Sequence, residues 1–283
     1  MNWLTHPVDW WWAPLAENPF LRDSLWAALL SVLTTSVIGT WVVLRGLSFL
    51  GDALSHGVLP GIAIAFVIGG NTRVGALIAA LVMVGGVHLI RNASPLPDDA
   101  SIGVLFVGFL ALAVVVMSAQ DGRGAGDLTR FLFGSINAVG GSELRTLMIV
   151  AAITVGAVIA LHRALLVGTF DPTQARLIGF RPELTHFVLL VLLALSIVAS
   201  FETVGSLLVF GFLIGPPATA SLLVKHVPTM MITAVAIGSL CALIGLLLSY
   251  HHGTATGATM ALVTVVAFIS VLSAQQLRRG IMR

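Results

Sequence analysis

The chain has 283 residues, of which 58% are hydrophobic and 9% charged, with a formal net charge of +2 and a mean hydropathy of +1.04. Soluble domains carry about 25% charged residues, so this composition excludes a soluble globular fold, and basic residues scattered among short loops provide no surface for nucleic acid. One cysteine, Cys241, inside an apolar run, excludes disulfide frameworks and Cys-based zinc sites.

In chain order, the first segment is MNWLTHPVDWWWAPLAENPF. It lacks the basic-then-apolar order of a signal peptide, and Trp10, Trp11 and Trp12 suit the headgroup layer, so residues 1–20 are expected to form an interfacial segment. Nine apolar runs of roughly 15 to 21 residues follow: Ser24–Leu44, Leu54–Ile68, Val74–Ile90, Ile102–Ala119, Leu144–Leu161, Phe187–Ser200, Val204–Val224, Met230–Leu248 and Ala258–Leu272. About 20 such residues cross a bilayer as a helix. The expected fold is therefore all-α, a polytopic transmembrane helical bundle of about eight to nine spans forming one domain over residues 1–283. The second and sixth runs are short, which predicts that one of them is broken or re-entrant.

Two connections are longer than a hairpin needs. Residues 120–143 are rich in glycine and turn signals. Residues 162–186 contain an N-cap at Asp171, a proline at the first turn and a terminating Gly179, which predicts a short helix over Thr173–Ile178. With the C-terminus in the cytoplasm and nine crossings, Arg45, Arg91, Arg163, Arg176, Arg181, Lys225, Arg278, Arg279 and Arg283 share the inner side. Arg22, Arg73, Arg123, Arg130 and Arg145 fall outside, so the positive-inside rule favours this orientation. The spacings Gly57/Gly61 and Gly211/Gly215 read as tight packing within the chain in preference to a dimer motif.

No phosphate-binding G-x-x-x-x-G-K-[ST] loop is present, so ATP hydrolysis is not expected of this chain. Nor is there an H-E-x-x-H pair or an arginine ladder of the kind a voltage sensor uses. The stretch GLSFLGDALSHGVLPG stands apart. It sets Asp52 and His56 four residues apart, on one helical face. An ionised Asp within a span costs on the order of 3 kcal/mol, which demands a polar pathway or a partner. Carboxylate plus imidazole suits Mn²⁺ or Zn²⁺; a self-satisfied pair capping the helix start fits the residues equally. Glu202 lies where two apolar segments meet, before Gly205, Gly211, Gly215, Pro216 and Pro217, and reads either as a cavity acid beside an interrupted helix or as an exposed turn acid. His251 and His252 fall in an outer loop, where they meet incoming metal or, as the favoured reading, face water. His88, His162, His186 and His226 lie near helix ends and receive no role.

Three segments, RGLSFLGDALSHGVLPGIAIAF, GTFDPTQARLIGF and TVGSLLVFGFLIGPPATA, follow one another in an order and spacing that resembles the membrane subunit of manganese or zinc ABC importers, the bacterial metal-type ABC permease family. The resemblance spans roughly residues 20–272. It implies a fold like that of the vitamin B12-type (type II) importers, located in the bacterial inner membrane. The implied partners are a second copy of the chain, two cytoplasmic ATPase subunits, an external solute-binding protein and membrane lipid. It further implies that Asp52 and His56 line or coordinate in the pathway, with Glu202 a less secure match. A short helix would dock on the ATPase, here Asp171, Pro172, Thr173, Gln174, Ala175, Arg176, Leu177, Ile178 and Gly179. Manganese or zinc would pass as cargo, with no permanently bound cofactor. A stand-alone ion- or proton-coupled metal transporter and an intramembrane acid–base enzyme are the competing readings; neither has a need for TFDPTQARLIGF.

Overall fold

The structure, a computed structural model, describes residues 7–93, 98–119 and 139–281, with the backbone alone at helical positions 7–9, 92, 98, 202, 203 and 279–281. Every regular element among them is helical. They run α1 (Pro7–Glu17), α2 (Pro19–Leu44), α3 (Ser48–Gly57), α4 (Leu59–Val67), α5 (Thr72–Ala93), α6 (Asp98–Ser118), α7 (Gly141–Phe170), α8 (Pro172–Leu177), α9 (Pro182–Val204), α10 (Ser206–Leu223), α11 (Val227–His252) and α12 (Thr256–Ile281). With α3 and α4 counted as one broken crossing, nine segments among the described residues are long and apolar enough to span a bilayer, one for each apolar run of the sequence. Most of the glycine-rich connection at 120–143 lies outside the described residues.

Each interruption has a local cause. Pro60 has no N–H to give the carbonyl of His56 four residues earlier, and that carbonyl takes the N–H of Val58 instead, so the second crossing breaks into α3 and α4. The predicted interruption near Glu202 falls at Gly205, whose φ of 80° separates α9 from α10. Pro216 and Pro217 do not break α10, where neighbouring α2 serves one of the two carbonyls they strand and packs closely on the other. Ser36 Oγ donates to the carbonyl of Phe212, four residues before Pro216, at 3.3 Å. Gly39, having no side chain, lets α2 close onto the carbonyl of Leu213, four residues before Pro217; a Cβ there would lie 1.9 Å from that oxygen. Prolines persist in membrane helices where neighbours resatisfy the backbone in this way.

The helices form an inner and an outer set. In the apolar windows of α2 and of the α3–α4 crossing, 72% of residues are buried, against 17% in α6 and in α12. Helix α2 packs on α7, α9, α10 and α11, and the core around it holds Trp41, Ile38, Leu50, Leu54, Phe201 and Phe212. Val104 and Val107 on α6 and Leu262 and Ile269 on α12 face outward, as lipid-exposed helices require. The glycine pairs work within the chain, as expected. Gly61 of α4 and Gly75 of α5 meet backbone to backbone, Gly57 abuts Met83, and Gly211 and Gly215 seat Ala261 and Thr264 of α12. Cys241 is buried.

The two ends of the bundle differ. At one end, Arg73 opening α5 pairs with Glu143 opening α7 at 2.7 Å. Asn18 and Tyr250 hydrogen-bond at this end, and the Trp10 ring of α1 stacks on His251 at 4.3 Å, so His251 has an aromatic partner in addition to its exposure to water. At the other, the arginine end, Arg45, Arg91 and Arg176 converge on one cavity. Alternating crossings put these three together, as the topology from the sequence requires.

Candidate metal pathway site and docking helix

Helix α3 is held by close packing along its length. Gly51 lies against Leu213 and Phe210 of α10, and Phe49 meets Phe106 of α6 edge-on at 5.9 Å. From this buried helix Asp52 and His56 project to one side, each with a side chain about one third exposed (35% and 30%). His56 Nε2 lies 3.6 Å from Asp52 Oδ1, too far for a hydrogen bond. Among the described residues neither side chain has a hydrogen-bond partner; the His56 ring leans on Phe106 at 5.9 Å. The capping alternative does not hold. The N-cap of α3 is Leu47, without a side-chain cap, and Asp52 sits a full turn inside the helix.

The two side chains share a face, are each about one third exposed and, among the described residues, have only each other within ion-pair distance. No group of three or more His, Cys, Asp or Glu side chains is poised for a metal among the described residues. Zn²⁺ takes four ligands and Mn²⁺ more, so two side chains alone would not complete the coordination of either ion. Glu202 is not brought to the pair. Its side chain lies outside the described residues, but its backbone closes α9 at the end of the bundle where Val198 and Ala199 face Arg73 and Glu143. Leu47 and Glu183 both line the arginine-end cavity, so counting 1.5 Å per residue from them puts Glu202 about 15–20 Å further along the bundle than Asp52 and His56.

The short helix forms as its sequence predicts, one residue earlier. Asp171 accepts the N–H of Gln174 at 2.8 Å, Pro172 opens the first turn, and Gly179 ends α8 with φ of 88°. Ala175 is its single buried residue and anchors it, while Phe170, Leu177 (83% exposed) and Ile178 point away from the bundle. A six-residue helix that presents apolar side chains outward has no internal reason to do so.

Residues that the sequence left without a role gather beside it. Arg45 donates from Nε to Thr169 Oγ1 and from an Nη to His186 Nδ1, both at 3.0 Å. A guanidinium only donates, so Nδ1 of His186 accepts. Burial and the neighbouring Arg91 pull Arg45 down to about 10. His88 packs on Phe187 at 5.3 Å and His162 on Trp41 at 5.6 Å. Nothing in the spacing of these residues announces the cluster, since it is assembled from helix ends far apart in the chain.

A family model described as ABC 3 transport family matches residues 17–275. The manganese transport system membrane protein MntC of Listeria monocytogenes is 36% identical over 261 residues, 92% of each chain. The manganese import system permease protein ScaB of Streptococcus parasanguinis is 34% identical over 90% of each, and a probable iron transport system membrane protein of Haemophilus influenzae is 33% identical over 95% of this chain and 98% of its own. Among solved structures, PsaBC from Streptococcus pneumoniae superimposes with a TM-score of 0.80 at 30% identity, covering 91% of this chain and 92% of that one. An inward-facing metal-chelate type ABC transporter shares the fold with a TM-score of 0.68 at 15% identity. Matched across nearly all of its apolar length, the chain is a multi-pass membrane protein that belongs to the ABC 3 transport family.

Proposed function

We propose that the chain forms the membrane pathway of an ATP-driven importer for a divalent metal ion, manganese before zinc, and that Asp52 and His56 meet the ion in transit. The observation that carries this reading is the pair itself: a carboxylate and an imidazole on one face of a buried crossing, with no hydrogen bond between them and none to a neighbour. A carboxylate on a membrane crossing is tolerated there because a dication passes, and two protein ligands per chain offset part of its lost hydration while leaving the ion free to depart. A second copy of the chain would double the donor set. Glu202, at the far end of the crossing, would contribute in another state of the cycle. The names of the relatives support manganese, and a carboxylate–imidazole set is compatible with it.

The exposed face of α8, Asp171 to Gly179, is the docking helix for a separate ATPase subunit, and the arginine end is cytoplasmic. The distribution of basic residues supports that orientation. The chain then lies in the inner membrane of a bacterium, and delivery from outside falls to an external solute-binding protein. The test is reconstitution of the chain with its ATPase and binding protein in vesicles. Uptake of radioactive manganese should require ATP and the ATPase. Uptake driven by a proton gradient in their absence would make the chain a stand-alone carrier.

A further inference from the structure

The cavity at the arginine end has a volume of about 440 Å³, within the range of small-molecule sites. Its walls come from five places: the residues following α2, the ends of α5 and α7, helix α8 and the start of α9. Arg45, Arg91 and Arg176 face it, together with His88 and His186, whereas Glu183 is the one carboxylate among the described lining residues. That carboxylate is already engaged, since Arg176 donates to it at 2.5 Å. Arg45 uses two of its five N–H donors on neutral partners, Thr169 and His186, and among the described residues the other three have no acceptor.

We propose that this cavity binds a phosphate group, supplied either by an anionic lipid headgroup or by soluble phosphate. Three guanidiniums from three separate segments, with one carboxylate among the described lining residues, make a concave site rich in positive charge. The planar fork of arginine matches two phosphate oxygens at once, a geometry that a lysine patch would not provide. The position also suits a headgroup. Apart from those of α8, the lining residues lie at or next to the terminal turns of membrane crossings, and basic pockets between such helices take lipid phosphates. Burial, and after it the like charge of Arg91, lower the affinity of Arg45 for its proton. A bound phosphate would tie Arg176 of α8 to Arg45 and Arg91 of the bundle, and so steady the helix proposed above to dock the ATPase. The site itself rests on the cavity alone and not on the metal reading.

The experiment uses the full chain in detergent micelles, without metal or ATPase, and follows its melting midpoint at constant ionic strength. Dihexanoyl phosphatidylglycerol, dihexanoyl phosphatidylcholine and inorganic phosphate are titrated separately. The phosphatidylglycerol curve should rise and saturate, with phosphatidylcholine flat. Its half-effect concentration should increase at least tenfold in Arg45→Gln, as loss of a charged donor implies, and fall severalfold in Glu183→Gln, which removes the competing carboxylate. Arg278→Gln, exposed and outside the cavity, should leave it unchanged. Inorganic phosphate acting at the same concentration assigns the site to soluble phosphate, and a response confined to phosphatidylglycerol assigns it to lipid; both outcomes sustain the phosphate site. Equal effects of the two lipids, or half-effect concentrations indifferent to Glu183→Gln, overturn it, and Glu183→Gln decides if Arg45→Gln does not fold. No anion response, together with an Arg45→Gln chain that loses its ATPase on co-purification, also overturns it and gives the cavity to an acidic segment of that subunit.

Discussion

Replacing Gly39 by alanine should be among the most damaging one-methyl changes in this chain. The new Cβ would lie 1.9 Å from the carbonyl oxygen of Leu213, 2.9 Å from its carbon and 3.1 Å from Cγ of Pro217. Relief needs α2 and α10 to part by more than about 1 Å, the shortfall from an ordinary C···O contact. Neither helix is free to yield. The Leu213 side chain is pressed against Gly51 on its other side, and α10 is seated on α12 through Gly211 and Gly215. Overpacking costs about 1–3 kcal/mol, and a gap of 1 Å forfeits a large share of the dispersion contacts along the seam, which puts Gly39→Ala at the upper end of that range or beyond. At about 2–4 °C per kcal/mol for a chain of this class, the melting midpoint should fall by several degrees. Gly156→Ala on α7 is the control, because its Cβ meets nothing within 4 Å and alanine is the better helix former. Equal midpoints for the two variants, followed by tryptophan fluorescence in detergent, would refute the claim that the proline pair is accommodated by close approach of α2.

Ser36→Ala should cost about 1–3 kcal/mol by stranding the Phe212 carbonyl, whereas Thr34→Ala, whose hydroxyl bonds only within its own helix, should cost less than half as much in the same melting assay. Asp171→Ala removes the cap of a six-residue helix too short to hold itself, a loss of about 1 kcal/mol, and should reduce ATPase co-purification while the chain inserts and folds normally. For orientation, cysteines placed singly at Gly70 and Arg278 in a Cys241→Ser background should label differently with an impermeant thiol reagent on intact cells; only the Gly70 position should react, and the reverse pattern would invert the topology.

Apolar run length foretold all nine crossings because lipid leaves the backbone of a spanning segment no alternative to the helix. Cap chemistry foretold α8, since Asp171, Pro172 and Gly179 act within a few residues of one another. Asp52 and His56 were legible for the same reason, four residues apart on one turn. What escaped the sequence depends on distant partners. Pro216 and Pro217 look like a break, yet Ser36 and Gly39, nearly two hundred residues earlier, keep α10 continuous, and the interruption shifts to Gly205. The arginine-end cavity draws on five segments, and the Trp10–His251 stack joins the first helix to the last turn of α11, which extends through the histidines expected in a loop. Neither leaves a local pattern. The separation of Glu202 from the pair was also invisible, because it depends on which ends of the crossings lie together.

The most direct test measures radioactive manganese uptake by the reconstituted importer with Asp52→Asn and His56→Ala, beside the melting midpoint of each purified complex. Asp52→Asn removes the charge at nearly constant volume and His56→Ala removes the nitrogen donor, and neither breaks a hydrogen bond present among the described residues. Uptake should fall to background in both variants while the midpoints remain at the wild-type value. Full uptake in both variants, or loss of uptake accompanied by an equal loss of folded complex, would contradict a metal pathway through Asp52 and His56.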